Sequence, residues 1–99
     1  LGLVVNLSDA YKVRSNRESG FGRYDVMIEP LDKTKKAFIL EFKVLDPDED
    51  EKTLEDTLAN ARAQIEEKRY ETELVSSGCA PEQIRKYGFA FKGKECLIG

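Results

Sequence analysis

Two carboxylates and a lysine stand where the sequence predicts strands. Asp25 lies in an alternating stretch, residues 23–30, and Glu41 follows sixteen positions later in a largely apolar one, two residues before Lys43. Residues two apart on a strand share a face, so Glu41 and Lys43 should project to the same side. Asp25 would join them if it lies on the neighbouring strand and faces the same side of the sheet. Unpaired charges on a buried strand are costly, so this arrangement calls for a reason.

The chemistry that best suits this set is hydrolysis of a phosphodiester with the help of a metal. Two carboxylates, the backbone carbonyl of Phe42 and several waters would provide the oxygen ligands that Mg²⁺ or Mn²⁺ prefers. Such a metal polarises a phosphate and helps to generate hydroxide from water. Lys43 would steady the attacking water or the charge that develops on phosphorus. The alternative is a structural ion pair of Lys43 with Glu41 or Asp25 at the edge of the sheet.

Composition sets the limits of this interpretation. The chain has 99 residues, 40% of them apolar and 35% charged, which is typical of one globular domain spanning residues 1–99. No apolar run approaches the roughly 20 residues of a membrane helix. The net charge of −3 argues mildly against tight non-specific binding of nucleic acid. Because the chain opens with Leu1 in an apolar run, we expect a piece of a longer protein, truncated at its N-terminus.

Histidine and cysteine usage excludes several other classes of site. The chain has no histidine, and Cys79 and Cys96 are far apart. A zinc site, a disulfide framework and a Ser-His-Asp site are therefore not expected. The same usage favours a reducing, cytoplasmic setting.

The periodicity of the sequence predicts an α/β domain. Thr53 and Asp56 form a potential capping box at the start of the longest helix. The acidic run at 46–51 is predicted to be a solvated loop, and the strand at 36–45 to be central and covered on both faces. The predicted elements are the end of a helix at 1–10, strands at 11–16, 23–30 and 36–45, a helix at 51–75, a short helical turn at 81–86, and a hairpin of strands at 87–91 and 94–98.

Four segments, taken together and in order, carry a family resemblance. They are SNRESGFGRYD at 15–25, ILEFK at 39–43, ARAQIEEKRY at 61–70 and YGFAFKGK at 87–94. The set resembles the PD-(D/E)XK nuclease superfamily. More narrowly, it resembles the nuclease-like domain that follows an AAA-type ATPase domain in many bacterial proteins of unknown function. The resemblance implies a restriction-endonuclease-like core, with a central mixed β-sheet flanked by helices, and Mg²⁺- or Mn²⁺-dependent cleavage of DNA.

The resemblance also implies roles for particular residues. Asp25 and Glu41 would hold the metal, Lys43 would be catalytic, and Gln64 matches a glutamine that RecB-like members place near the site. The tyrosine expected four residues after that glutamine is replaced by Lys68, on the same helical face as Gln64.

Further departures concern accessory residues. Tyr70 comes six residues after Gln64, and Tyr24 replaces the usual proline before the first aspartate. An acid on a preceding helix often belongs to such sites, and Glu18 is a potential substitute for it. Arg23 is a candidate for contact with a nucleic-acid phosphate.

Two other functions stay open from the sequence. The domain could be a non-catalytic module that binds nucleic acid, with the acidic and lysine positions as a remnant of a nuclease site. It could also regulate an attached ATPase domain. A dimer would suit cleavage of both strands of a duplex, but the sequence does not fix the oligomeric state.

Overall fold

The sheet is built in chain order. The computed structural model describes residues 2–7, 10–17, 23–68 and 70–99. Within them, six strands lie side by side in the order β1 to β6, and every neighbouring pair is antiparallel except β4 and β5, which are parallel. The strands are β1 (Gly2–Leu7), β2 (Tyr11–Arg17), β3 (Arg23–Pro30), β4 (Ala37–Val44), β5 (Ile84–Lys92) and β6 (Glu95–Ile98).

Two helices make the crossover between the parallel strands β4 and β5. They are α1 (Leu54–Glu67) and α2 (Tyr70–Ser76), and short 3-10 turns, Pro47–Glu49 and Pro81–Gln83, lie before and after them. This crossover is the usual solution for parallel strands, which a tight hairpin cannot join. The predicted α/β class is confirmed. No helix within the described ranges is long and apolar enough to cross a membrane.

The N-terminal segment differs from its prediction. Residues 2–7 form a strand and not the end of a helix, and they pair with β2 from Gly2 opposite Asn16 to Leu7 opposite Tyr11. The apolar run with its two valines suits a strand, but the pairing that decides the outcome comes from β2. Residues 18–22, between β2 and β3, lie outside the described residues.

The capping box at the start of α1 is confirmed. The Thr53 hydroxyl accepts a hydrogen bond from the Asp56 N–H at 3.3 Å, and the Asp56 carboxylate accepts one from the Thr53 N–H at 3.2 Å. The predicted single helix at 51–75 is wrong in its length, because the structure divides it after Glu67 into α1 and α2. Gly78, with φ of +114°, lies just beyond α2, a position where glycine commonly ends a helix.

The segment before β5 is also more extended than predicted. Helical structure covers only Pro81–Gln83, and β5 begins at Ile84, which lies beside Ala37 in the parallel ladder. Pairing with β4 extends β5 over residues whose local sequence suits a turn. The hairpin from β5 to β6 is confirmed, with Gly93 in the left-handed region at φ of +59°.

The two faces of the sheet differ in character. The helix-covered face carries Met27, Ala37 and Ile39, which pack in one buried cluster with Ile65 of α1 and Leu74 of α2. Along β4, burial alternates from residue to residue. The prediction that this strand is covered on both faces is therefore wrong for the described part of the chain, where the helices cover one face.

The open face, which carries Tyr24, Phe42 and Phe89, is aromatic. The ring centroids of Tyr24 and Phe42, and of Phe42 and Phe89, lie 4.7 Å apart with interplanar angles of 7° and 12°. The rings stack on one another across three strands, so their faces contact mainly one another.

Candidate active site

Asp25 and Glu41 form the centre of the site. They are directly opposite each other on β3 and β4, and they are 2% and 0% exposed on the helix-covered face. Opposite side chains of an antiparallel pair have Cβ atoms about 4.5–5.5 Å apart. The alternation of each strand thus brings two buried carboxylates together, as the sequence predicted.

Asp25 is held by side chains from the junction of the two helices. The Lys68 ammonium lies 2.8 Å from Oδ2 of Asp25, and the Tyr70 hydroxyl donates to Oδ1 at 2.9 Å. Asn16 of β2 donates in turn to the Tyr70 oxygen at 3.1 Å. Burial raises the pKa of Tyr70, and the hydrogen bond to Asp25 and the charge of that carboxylate act in the same direction, against the lowering effects of Asn16 and Lys68. Tyr70 therefore stays protonated and donates to Asp25.

Lys43 lies on the same face but turns toward the loop after β4. Its Nζ is 2.7 Å from Oε2 of Glu49 and 2.8 Å from Oε2 of Glu51, and its side chain is 3% exposed. Burial alone would lower the pKa of Lys43, but the hydrogen bonds that its ammonium donates to both carboxylates, together with their negative charges, outweigh burial and raise that pKa. The lysine is a fixed cation. The sequence left open a pair of Lys43 with Glu41 or Asp25, whereas the partners seen are two acids of the loop.

Glu51 is a site residue that the sequence pattern does not indicate. The acidic run at 46–51 predicts a solvated loop, yet Glu51 is 2% exposed and accepts hydrogen bonds from the Asp46 N–H, the Thr57 hydroxyl and the Asn60 amide. Burial would raise the pKa of Glu51, but the bond from Lys43 and these three donors overcome it and lower the value to about 2. A run of acidic residues next to a proline does not indicate locally that Glu51 is buried against Lys43.

Other predicted site residues lie at different places. Gln64 is on α1, where its amide donates to Oε2 of Glu67 at 3.1 Å. Phe42 contributes a peptide group between Glu41 and Lys43, while its ring lies on the open face. Arg23 is directly opposite Lys43 across the β3–β4 ladder. Glu18 lies outside the described residues.

The side chains at the centre suit a hard divalent cation. Among the described residues, no three His, Cys, Asp or Glu side chains are grouped as a metal site. Mg²⁺, however, is usually held by only one or two carboxylates, with waters and substrate phosphates completing its shell. Asp25 and Glu41, buried and directly opposite, fit that requirement. In this structure, the Lys68 ammonium neutralises the Asp25 carboxylate.

A mixed sheet that places an acidic pair beside a buried lysine is the arrangement of a nuclease-like α/β domain. The family model of the PD-(D/E)XK nuclease superfamily matches residues 1–99, so the chain belongs to this superfamily. Comparison with curated proteins and with solved structures gives no match.

Proposed function

We propose that the chain is a Mg²⁺- or Mn²⁺-dependent phosphodiester hydrolase that acts on DNA. The observation that carries the proposal is the pair of buried carboxylates, Asp25 and Glu41, directly opposite each other on the face that also carries Lys43. Membership of the superfamily supports a nuclease-like function and the use of a divalent metal.

The proposed roles follow from the positions of the side chains. Asp25, Glu41 and the Phe42 carbonyl would hold the metal, which when bound supplies activation of the phosphate and of water. Tyr70 orients Asp25 through its hydrogen bond. Lys43, kept protonated by Glu51, would stabilise the negative charge that develops on phosphorus. Gln64 would orient water or substrate after release from Glu67.

Metal binding is the first test of this proposal. Mn²⁺ should bind the parent chain in a calorimetric titration, and Asp25→Asn and Glu41→Gln should abolish the binding signal. Glu55→Gln, at an exposed position of α1, is the matched control and should bind as the parent does. A folded parent that does not bind Mn²⁺ would overturn the metal-dependent mechanism.

Cleavage is tested next, on labelled DNA in the presence of Mn²⁺. Lys43→Ala should retain metal binding and lose cleavage, because in this mechanism the lysine acts on the phosphate and not on the metal. Equal cleavage by the parent and Lys43→Ala would refute the catalytic role of the lysine.

A second function is favoured by the internal ion pairs. Asp25 is paired with Lys68, and Lys43 with Glu49 and Glu51, so Asp25 and Lys43 both have counter-ions without a metal. We propose as the alternative a catalytically inactive module that binds nucleic acid or regulates an attached AAA-type ATPase domain. DNA binding that is equal with and without Mn²⁺, and without cleavage, would favour this alternative. A change in ATP turnover upon deletion of the domain would identify the regulatory form.

A cytoplasmic setting is also part of the proposal. Cys79 and Cys96 are both free thiols, which suits a reducing compartment.

A further inference from the structure

Two cations lie side by side next to the carboxylate pair. Arg23 and Lys43 are directly opposite on β3 and β4, one row beyond Asp25 and Glu41 on the same face. Like charges in this position repel each other. The Glu49 carboxylate lies between them, with Oε2 at 2.7 Å from Lys43 Nζ and Oε1 at 3.7 Å from Arg23 Nη2. One oxygen of Glu49 therefore faces each cation.

Glu49 is the accessible member of this cluster. Its side chain is 43% exposed, whereas those of Arg23 and Lys43 are 21% and 3% exposed. It ends a single 3-10 turn, Pro47–Glu49, which is followed by Asp50 in the left-handed region at φ of 61°. Lys43 does not depend on Glu49 for neutralisation, because the buried Glu51 contacts it at 2.8 Å. Glu49 can thus leave while Lys43 keeps a counter-ion.

Arg23 has donor capacity that Glu49 does not use. Its Nε is buried and has no hydrogen-bond partner within the described residues, and its one ion pair, to Glu49, is long at 3.7 Å. A guanidinium presents its N–H groups in a fork that matches the oxygens of a phosphate better than a single distant carboxylate oxygen does. Arg23 is therefore better matched to a phosphate than to the one carboxylate oxygen that faces it.

We propose that Arg23 and Lys43 form a binding site for a backbone phosphate of nucleic acid, and that Glu49 occupies this site until the phosphate displaces it. This inference rests on the proposed function for its substrate class. It adds that the loop after β4 is an internal competitor of the substrate, so that the affinity for DNA is set partly by Glu49.

The test is DNA affinity without divalent metal. The anisotropy of a fluorescein-labelled duplex is titrated in EDTA with the parent, Glu49→Gln and Asp48→Asn. Asp48 is the matched control because it lies in the same 3-10 turn, is exposed and loses the same charge upon substitution. Glu49→Gln should tighten binding about fivefold, the scale of one partly exposed ion pair, and Asp48→Asn should change it much less. Addition of Arg23→Gln to Glu49→Gln should remove the gain.

Equal affinities of Glu49→Gln and Asp48→Asn would overturn the inference, because the effect would then be one of net charge. Inorganic phosphate is the second probe, since it carries the same oxygens without a nucleic acid. Binding of inorganic phosphate but not of the duplex by Glu49→Gln would overturn the assignment to nucleic acid.

The metal titration separates this inference from the proposed function. Tighter DNA binding by Glu49→Gln in a chain that does not bind Mn²⁺ would support the phosphate site and refute the metal-dependent enzyme. Mn²⁺ binding by the parent, with no increase in DNA affinity upon Glu49→Gln, would refute the phosphate site alone.

Discussion

Replacement of Lys68 by methionine should weaken the metal-free fold and strengthen Mn²⁺ binding. The ammonium lies 2.8 Å from Oδ2 of Asp25, and the two side chains are 16% and 2% exposed. Methionine keeps most of the length of the side chain and removes the ammonium group with its charge. Asp25 is then left opposite Glu41 with only the Tyr70 hydroxyl of its two observed donors. A cation held by Asp25 and Glu41 competes with this ammonium, so its removal favours the metal.

The expected size of the effect follows from the burial of the pair. Removal of one partner of a buried ion pair costs about 3–5 kcal/mol. Because Lys68 keeps some solvent contact and the Tyr70 hydroxyl remains, we expect the lower end, about 3 kcal/mol. For a domain of this size, that corresponds to a fall in Tm of about 12 °C or more. If the metal recovers half of the lost interaction, its affinity rises about tenfold, since each 1.4 kcal/mol or so is a factor of ten.

Thermal unfolding in EDTA and calorimetric titration of Mn²⁺ measure the two effects. Lys86→Met is the matched control, because Lys86 pairs with Glu66 and Glu71, which are 65% and 42% exposed. Such pairs contribute about 1 kcal/mol or less, and this variant should bind Mn²⁺ as the parent does. A Lys68→Met variant with the Tm and the Mn²⁺ affinity of the parent would refute the view that Lys68 neutralises Asp25 and competes there with the metal.

Two further perturbations test the loop and the helix packing. The pKa of Glu51 is lowered from 4.5 to about 2 in the folded chain, so its contribution to stability is full above pH 4.5 and is lost as the pH falls toward 2. Across that interval, the free energy of unfolding measured with urea should fall by about 3 kcal/mol more for the parent than for Glu51→Gln. Parallel plots of this free energy against pH for the two proteins would contradict the lowered pKa of Glu51. Gly88→Ala would place a methyl group 2.9 Å from Cδ1 of Leu58 on α1, and should cost about 1–3 kcal/mol. Leu58→Ala should recover part of that loss in a double-mutant cycle, whereas strictly additive losses would show that the contact is not its cause.

The strand positions of the acids could be predicted from the sequence because period-two alternation assigns each residue to a face. Residues 23–30 alternate in sequence, and Glu41 and Lys43 share a face because they are two residues apart on the next predicted strand. The capping box at Thr53 is a local signal of the same kind, because all of its groups lie within four residues.

The counter-ions of the site could not be predicted, because they depend on contacts between segments distant in sequence. Lys68 and Tyr70 reach Asp25 from more than forty residues away. The break between α1 and α2 contains no glycine or proline from which it could be predicted. Glu49 and Glu51 are close to Lys43 in sequence, but only the fold of the loop back onto the sheet makes them its partners.

The alternation along β4 also affects the accuracy of strand alignment during folding. A shift of one residue between β3 and β4 moves every side chain of the shifted strand to the other face. Glu41 and Lys43 would then lie among the aromatic rings, and Phe42 would face Asp25. The same charges that form the site thus penalise a misaligned sheet. Glu41→Gln and Lys43→Ala remove part of that penalty, so the strand pairing of an inactive variant has to be verified before its inactivity is assigned to lost chemistry.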